Sequence, residues 1–129
     1  NAHGGRIAVG SMLPFEWAES RPRAVYLQRL FRWLSRNSLP AYIHSFHRAA
    51  LFARNGCIFV ANLAQGRMEN AVVAALEGGT RRLDVFVGGV KVSDSELVPC
   101  GKDGAYFLYR LPVLPVHGEI LLGKSSLCK

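Results

Sequence analysis

The sequence predicts an α+β chain that is mainly β: an N-terminal strand and an amphipathic helix, followed by an antiparallel β-sandwich of about six or seven strands. Three observations predict this fold. Apolar residues recur at helical spacing only before residue 40, and the apolar period changes to two after Ala41. Turn signals then recur roughly every 8–12 residues. We therefore expect two regions, a strand–helix remnant of an α/β domain over 1–40 and a sandwich over 41–129.

The first region contains a short apolar run and a helical pattern. Ile7–Val9 has the size of a buried strand. Ser20 can cap the start of a helix whose first turn accommodates Pro22. The apolar side chains at helical spacing are Ala24, Leu27, Leu30, Phe31 and Leu34. Because Pro40 disfavours helical geometry in the residue before it, the pattern predicts a helix over 21–36.

The second region contains a hairpin and four further strand patterns. Asn55-Gly56 stands between two apolar runs and can adopt the positive φ angles of a type I′ turn, which predicts a hairpin of 48–54 with 57–63. The other patterns are "NAVVAALE", "RRLDVFV", Ala105 to Leu111 after the turn Asp103-Gly104, and "HGEILLG". Asp94 and Glu96 lie in "SDSE", which fits a strand of alternating residues or, equally, a solvated turn.

The composition is that of a globular protein, with 50% hydrophobic and 19% charged residues. No apolar run approaches the ~20 residues that cross a bilayer, so we expect no membrane partner. The three cysteines, Cys57, Cys100 and Cys128, are odd in number and widely spaced, which favours free thiols in a reducing, cytoplasmic compartment. A single Cys57–Cys100 disulfide is the alternative.

Positive charge is concentrated in the first part of the chain, where residues 1–54 carry eight arginines against two glutamates. Arg29, Arg32 and Arg36 are predicted to form one stripe on the helix, which could meet the phosphates of a nucleic acid. A solvated outer face explains the same pattern. Residues 1–54 contain no lysine, whereas nucleic-acid patches usually mix lysine with arginine. Arginine without lysine fits a GC-rich genome or docking against carboxylates on another domain.

The sequence offers no catalytic, metal or cofactor motif. "GGRIAVGS" has no lysine after Gly10 and no GxGxxG pattern, so a nucleotide loop is not expected. His44 and His47 would point to opposite faces of a strand, and no GxSxG pattern is present. The nine acidic residues stand mostly beside turns or on solvated faces. We therefore predict no catalytic residue in this chain and leave open whether a parent polypeptide is an enzyme.

Several segments, taken in order, resemble the C-terminal region of large bacterial glycoside hydrolases of the β-galactosidase type. These are "GGRIAV", the helix "YLQRLFRWLS", the connector "LPAYI", the strand "NGCIFVANLAQ" with Asn62 at the family's asparagine, and "KDGAYFLYRLPVLP". In that family a final strand and helix close an amidotransferase-like domain, and a β-sandwich follows. The catalytic carboxylates lie in an upstream barrel, so the resemblance carries no catalytic residue over.

The resemblance implies a non-catalytic C-terminal module that packs against missing upstream domains, forms homo-oligomers or contacts glycan. For glycan contact the candidate residues are Tyr106 and Tyr109, which we expect on one strand face with Phe107 on the other. Either set can instead belong to the core. The alternative function is a small basic nucleic-acid-binding protein that uses Arg29, Arg32 and Arg36.

Overall fold

The computed structural model describes residues 5–6, 8–9 and 21–124, and the chain divides into two compact units, Asn1–Leu39 and Pro40–Lys129. Among the described residues, the first unit has one helix and the second has nine strands in two antiparallel sheets. The predicted fold class, α+β and mainly β, is confirmed. The strands number nine rather than six or seven.

The helix of the first unit runs from Arg21 to Leu34, two residues short of the predicted end. Arg36 and Asn37 have φ angles of 56° and 57°, in the left-handed region. The Asn37 amide donates to the Arg32 carbonyl over 2.8 Å and the Arg36 amide to that of Trp33 over 3.1 Å. These two bonds form a Schellman motif, which ends the helix before position 36. The predicted cap, Ser20, lies outside the described residues.

The predicted N-terminal strand is not seen. Ala8 and Val9 have no regular secondary structure, and Ile7 lies outside the described residues. Val9 is almost fully exposed. A strand needs a hydrogen-bonded neighbour, and no described strand pairs with this segment.

The second unit is a sandwich of a four-stranded and a five-stranded sheet. The four-stranded sheet has the order β1-β4-β8-β7. Its strands are β1 (Ala41–Ile43), β4 (Val72–Ala75), β7 (Gly101–Asp103) and β8 (Tyr106–Arg110). The five-stranded sheet has the order β2-β3-β9-β5-β6. Its strands are β2 (Ala49–Arg54), β3 (Cys57–Asn62), β5 (Arg81–Val87), β6 (Val90–Leu97) and β9 (Gly118–Lys124).

The predicted hairpin is confirmed as β2–β3. Arg54 pairs with Cys57, and the two residues between them, Asn55 and Gly56, have φ angles of 52° and 79°. Positive φ at both central positions defines a type I′ turn, whose twist matches that of the flanking strands. The strand patterns that became β4, β5, β8 and β9 are also confirmed.

Strands β1 and β7 were not predicted, and for the segment of β6 a strand was one of two alternatives. Strands β1 and β7 have three residues each, too few to show a period of two. The segment "SDSE" lies within β6, so of the two alternatives the strand is correct and the solvated turn is wrong. The apolar alternation in β6 is weak because it is an edge strand whose side chains are mostly exposed, and it is held by backbone pairing with β5.

The core lies between the two sheets and is built from alternate positions of the strands. Ile58 and Val60 of β3 and Ile120 and Leu122 of β9 point into it. From the other sheet, Val73, Ala75 and Tyr109 meet them. A second buried cluster, made of Tyr42, Ala74 and Tyr106, occupies the opposite face of the four-stranded sheet.

Candidate functional site

The predicted glycan-contact residues, Tyr106 and Tyr109, are both 0% exposed. They stand three positions apart on β8, so they point to opposite faces of the sheet, and Phe107 shares the face of Tyr109. The expectation that both tyrosines share a face is therefore wrong. Neither ring presents a face to solvent on which a sugar could stack.

Tyr109 instead supports a buried arginine. The Tyr109 hydroxyl donates to the Gly79 carbonyl over 2.8 Å, and the Arg81 guanidinium carbon lies 5.3 Å from the centre of the Tyr109 ring. Arg81 donates to the carbonyls of Gly56 and Glu77 over 2.8 and 2.9 Å. This arginine ties the hairpin turn to the loop after β4, which is a structural role that the sequence pattern did not reveal.

Tyr106 packs edge-on against Tyr42, with ring centres 5.0 Å apart. The Tyr42 hydroxyl donates to Asp103 Oδ2 over 3.4 Å, and His44 Nδ1 lies 3.8 Å from the same oxygen. His47 bonds Ser45 Oγ through Nδ1 instead. Across the part of the chain that the structure describes, no three His, Cys, Asp or Glu side chains are placed to hold a metal ion.

Asn62, for which the resemblance predicts a family position, is buried and structural. Its Nδ2 donates to the carbonyls of Gly66 and Pro115 over 2.9 and 3.0 Å, and also reaches that of Leu114 at 3.4 Å. Its Oδ1 accepts the Ala64 amide over 2.9 Å. One amide side chain therefore fastens the loop after β3 to the connector that precedes β9.

The predicted arginine stripe is divided between the helix and its cap. Arg29 is exposed on the helix and Arg32 is half-buried there. Arg36 lies in the left-handed turn after Leu34, so it does not continue the helical spacing. In the same unit, the Arg6 guanidinium carbon lies 4.9 Å from the centre of the Trp33 ring and Arg6 donates to the Trp33 carbonyl.

The outer face of the five-stranded sheet, opposite the core, carries a row of side chains that the sequence analysis missed. Register pairs Phe52 with Phe59, Phe59 with Leu121, Leu121 with Asp84, and Asp84 with Asp94. We call these five residues the cross-sheet row. Phe52 is 66% exposed, and the centres of the Phe52 and Phe59 rings are 6.4 Å apart. Apolar side chains occupy one half of the row and carboxylates the other.

The carboxylate half of the row is held by two cations. Asp84 Oδ1 lies 2.8 Å from Lys91 Nζ and 3.2 Å from Arg82 Nε. Asp94 Oδ2 lies 3.0 Å from Lys91 Nζ and 3.6 Å from an Arg82 nitrogen. We call these four side chains the charge network. A bulge between Val85 and Phe86 of β5, in the pairing with β6, places Lys91 and Asp94 on the same face.

The charge network shifts the ionisation of two of its members. The hydrogen bond from Lys91, aided by Arg82 and opposed by desolvation, lowers the pKa of Asp84 below 3.8. The hydrogen bonds to Asp84 and then Asp94 raise the pKa of Lys91 above 10.5. Asp84 and Lys91 therefore stay charged around neutral pH. The network pairs two acidic side chains with two basic ones.

The cysteines that the structure describes, Cys57 and Cys100, are free thiols, as expected, and the alternative disulfide between them is not formed. Within residues 21–124, no helix is both long and apolar enough to cross a membrane.

No family model, no curated protein and no solved structure matches the chain. The resemblance to the C-terminal region of glycoside hydrolases of the β-galactosidase type therefore stays a prediction.

Proposed function

We propose that the chain is a non-catalytic C-terminal β-sandwich module of a larger glycoside-hydrolase-like protein, which it serves by packing, oligomerisation or glycan contact. The observation that carries this proposal is the solvent exposure of the helix. No residue of Arg21–Leu34 is buried. Tyr26, Phe31 and Trp33 expose 55%, 54% and 47% of their surfaces.

Such exposure favours additional protein against the helix. A helix of 14 residues is marginally stable in water unless its apolar face is packed. Large apolar side chains exposed together are typical of interaction surfaces. In the resembled family the corresponding helix closes a domain whose other strands lie upstream, which would supply that packing.

The polar interior of the sandwich supports the same proposal. Its three buried polar side chains, Asn62, Arg81 and Asp84, each bind groups of the sandwich itself. Side chains engaged in this way hold a module together. This structural role fits a domain whose parent protein does its chemistry elsewhere.

The test is the size of the natural protein. Sequencing the reading frame upstream of Asn1 should reveal a continuous frame that encodes alternating strands and helices of a barrel. An immunoblot of the source cells should then detect a protein several times heavier than the 14.2 kDa chain. An initiation codon next to Asn1, together with a band at the mass of the chain alone, would contradict the module proposal.

The alternative function, nucleic-acid binding through Arg29, Arg32 and Arg36, is favoured by one observation, the exposure of Arg29 on a helix whose first turn is also basic. It is weakened by the position of Arg36 in the cap. Electrophoretic mobility shifts with a single-stranded and a duplex oligonucleotide separate the two functions. Nucleic-acid binding must weaken steeply with salt, because each neutralised phosphate releases counterions.

A further inference from the structure

We propose that the outer face of the five-stranded sheet binds a neutral saccharide, which stacks on Phe52 and Phe59 and hydrogen-bonds to the charge network. This inference rests on the proposed module function and names the ligand class that the module contacts. It replaces Tyr106 and Tyr109, which are buried, with the exposed Phe52 and with the partly exposed Arg82, Lys91 and Asp94, which surround the buried Asp84.

The apolar half of the cross-sheet row suits the face of a sugar ring. A pyranose ring presents several C–H groups on one face, and these pack favourably on the negative face of an aromatic ring. Phe52 is the most exposed aromatic side chain of the sandwich, and Phe59 lies beside it at a tilt of 38°. The alanines paired next to them, Ala50 and Ala61, are small and leave access to the two rings.

The polar half of the row suits the hydroxyl groups of the same ligand. Neighbouring strands lie about 4.8 Å apart, so the charge network around Asp84, two strands from Phe59, begins about 10 Å away across the sheet. This distance fits a ligand of about two sugar units. Ionised carboxylates, ammonium and guanidinium groups form the stronger class of hydrogen bonds with hydroxyls. Their mutual ion pairs hold them in place on rigid strands.

The charge of the face argues for a neutral ligand. Arg82 and Lys91 are balanced by Asp84 and Asp94 in one network, and the register adds Arg54, Glu96 and Glu119 to the same face. Phosphate or sulfate groups would therefore meet carboxylates as well as cations. A basic face is what nucleic acid requires. A sugar that offers hydroxyls as both donors and acceptors can use each member of a balanced network.

The adjacent edge of the sheet does not favour pairing with a strand of another chain. β6 is an edge strand, but it carries Lys91, Asp94 and Glu96 and contains the irregular pairing with β5. Charges and bulges are the devices that protect edge strands against pairing with other strands. The flat face, rather than the edge, is therefore the surface left for a ligand.

The test is affinity electrophoresis of the full chain in gels that contain cellulose derivative, xylan or β-1,4-galactan, followed by calorimetry with the matching tetrasaccharide. We expect at least one polysaccharide to retard the chain. Phe52→Ala should weaken the affinity about tenfold or more, which corresponds to the loss of a principal contact. Phe52→Trp keeps a stacking surface and should retain binding.

A matched control is Val113→Ala, which truncates another exposed apolar side chain in the connector before β9 and should leave affinity unchanged. Asp84→Asn should also weaken saccharide binding. Circular dichroism should show that Phe52→Ala keeps the fold, so a loss of binding that results from unfolding can be recognised. Raising the salt concentration should change the affinity little, in contrast with nucleic-acid binding.

Three results would overturn the saccharide proposal. These are no retardation in any of the three gels, equal binding by Phe52→Ala and the parent chain, or sedimentation showing that the face is occupied by a second copy and freed by Phe52→Ala. None of these three results bears on the size of the natural protein. A long upstream frame without sugar binding would therefore leave the module function standing and remove only its ligand.

Discussion

The two units of the chain place similar apolar side chains in opposite environments. In the sandwich, Val60, Tyr109, Ile120 and Leu122 are completely buried between two sheets. In the helix, Arg21–Leu34, no residue is buried, and large apolar side chains remain about half exposed. The sandwich is therefore stabilised by its own packing, whereas an amphipathic helix is stabilised by whatever packs against its apolar face.

The largest effect is expected in the sandwich core. Ile120→Ala removes a fully buried side chain of β9 and should lower the free energy of unfolding by about 2–5 kcal/mol, because a cavity adds to the lost burial. Urea unfolding followed by circular dichroism measures it. A cost below about 1 kcal/mol would mean that the core is not the source of stability.

Asn62→Ala should have the next largest effect, about 2–3 kcal/mol, since it leaves carbonyls and one amide of two loops without their partner. Hydrogen exchange should show that the Ala64 amide loses protection. Gln65→Ala, at an exposed position in the same loop, is the matched control and should change stability by less than about 0.5 kcal/mol. Equal costs for the two variants would contradict the role given to Asn62.

Gly78→Ala tests a close approach within the sandwich. A Cβ at Gly78 would lie 2.6 Å from the Phe107 ring, so the ring must move. We expect a cost of about 1–3 kcal/mol. In the control Gly66→Ala, no atom lies within 4 Å of the new Cβ, and the cost should be much smaller. Adding Phe107→Ala should remove most of the difference between the two alanine variants, and full additivity would exclude the contact.

The charge network predicts a smaller effect that depends on pH. The folded state lowers the pKa of Asp84, so the stabilisation from this carboxylate is present above the unfolded value of 3.8 and is lost as pH falls through the folded value. The difference in unfolding free energy between the parent chain and Asp84→Asn should therefore shrink on acidification below pH 3.8. A difference that stays constant down to acid would show that the ion pairs contribute nothing.

The smallest effect on unfolding should come from the helix. Phe31→Ala truncates a half-exposed side chain in the first unit and should change the urea midpoint of the sandwich little. Its effect should instead be seen in association, which sedimentation velocity measures. If Phe31→Ala destabilised the β signal as much as Ile120→Ala does, the contrast between the two units would be wrong.

Local patterns gave accurate predictions where local chemistry decides the structure. The β2–β3 turn follows from Asn55-Gly56, because these residues tolerate positive φ. The helix follows from its apolar spacing. Its predicted end is two residues too late, because the Schellman cap uses Arg36 and Asn37 rather than a glycine. For edge strand β6 the pattern left a strand and a solvated turn open, because its exposed, charged residues show little apolar period.

The candidate site was much harder to predict than the fold. Residue type alone predicts Tyr106 and Tyr109 as glycan-contact residues. Both are buried, and their burial depends on the packing of the two sheets, so they cannot contact a glycan. The cross-sheet row was not found, because Phe52 and Asp84 are distant in sequence and meet only through strands β3 and β9.

The sequence by itself determined that a helix precedes the β region, the type I′ hairpin and the change from helical to strand periodicity near residue 40, since backbone preferences and apolar spacing act over a few neighbouring residues. Only the tertiary structure decided which strands pair, which face of β8 each tyrosine occupies and which side chains line the outer face of the five-stranded sheet. The physical reason is that register between distant strands is set by the packing of the whole core, and a shift of one residue moves every side chain of a strand to the other face.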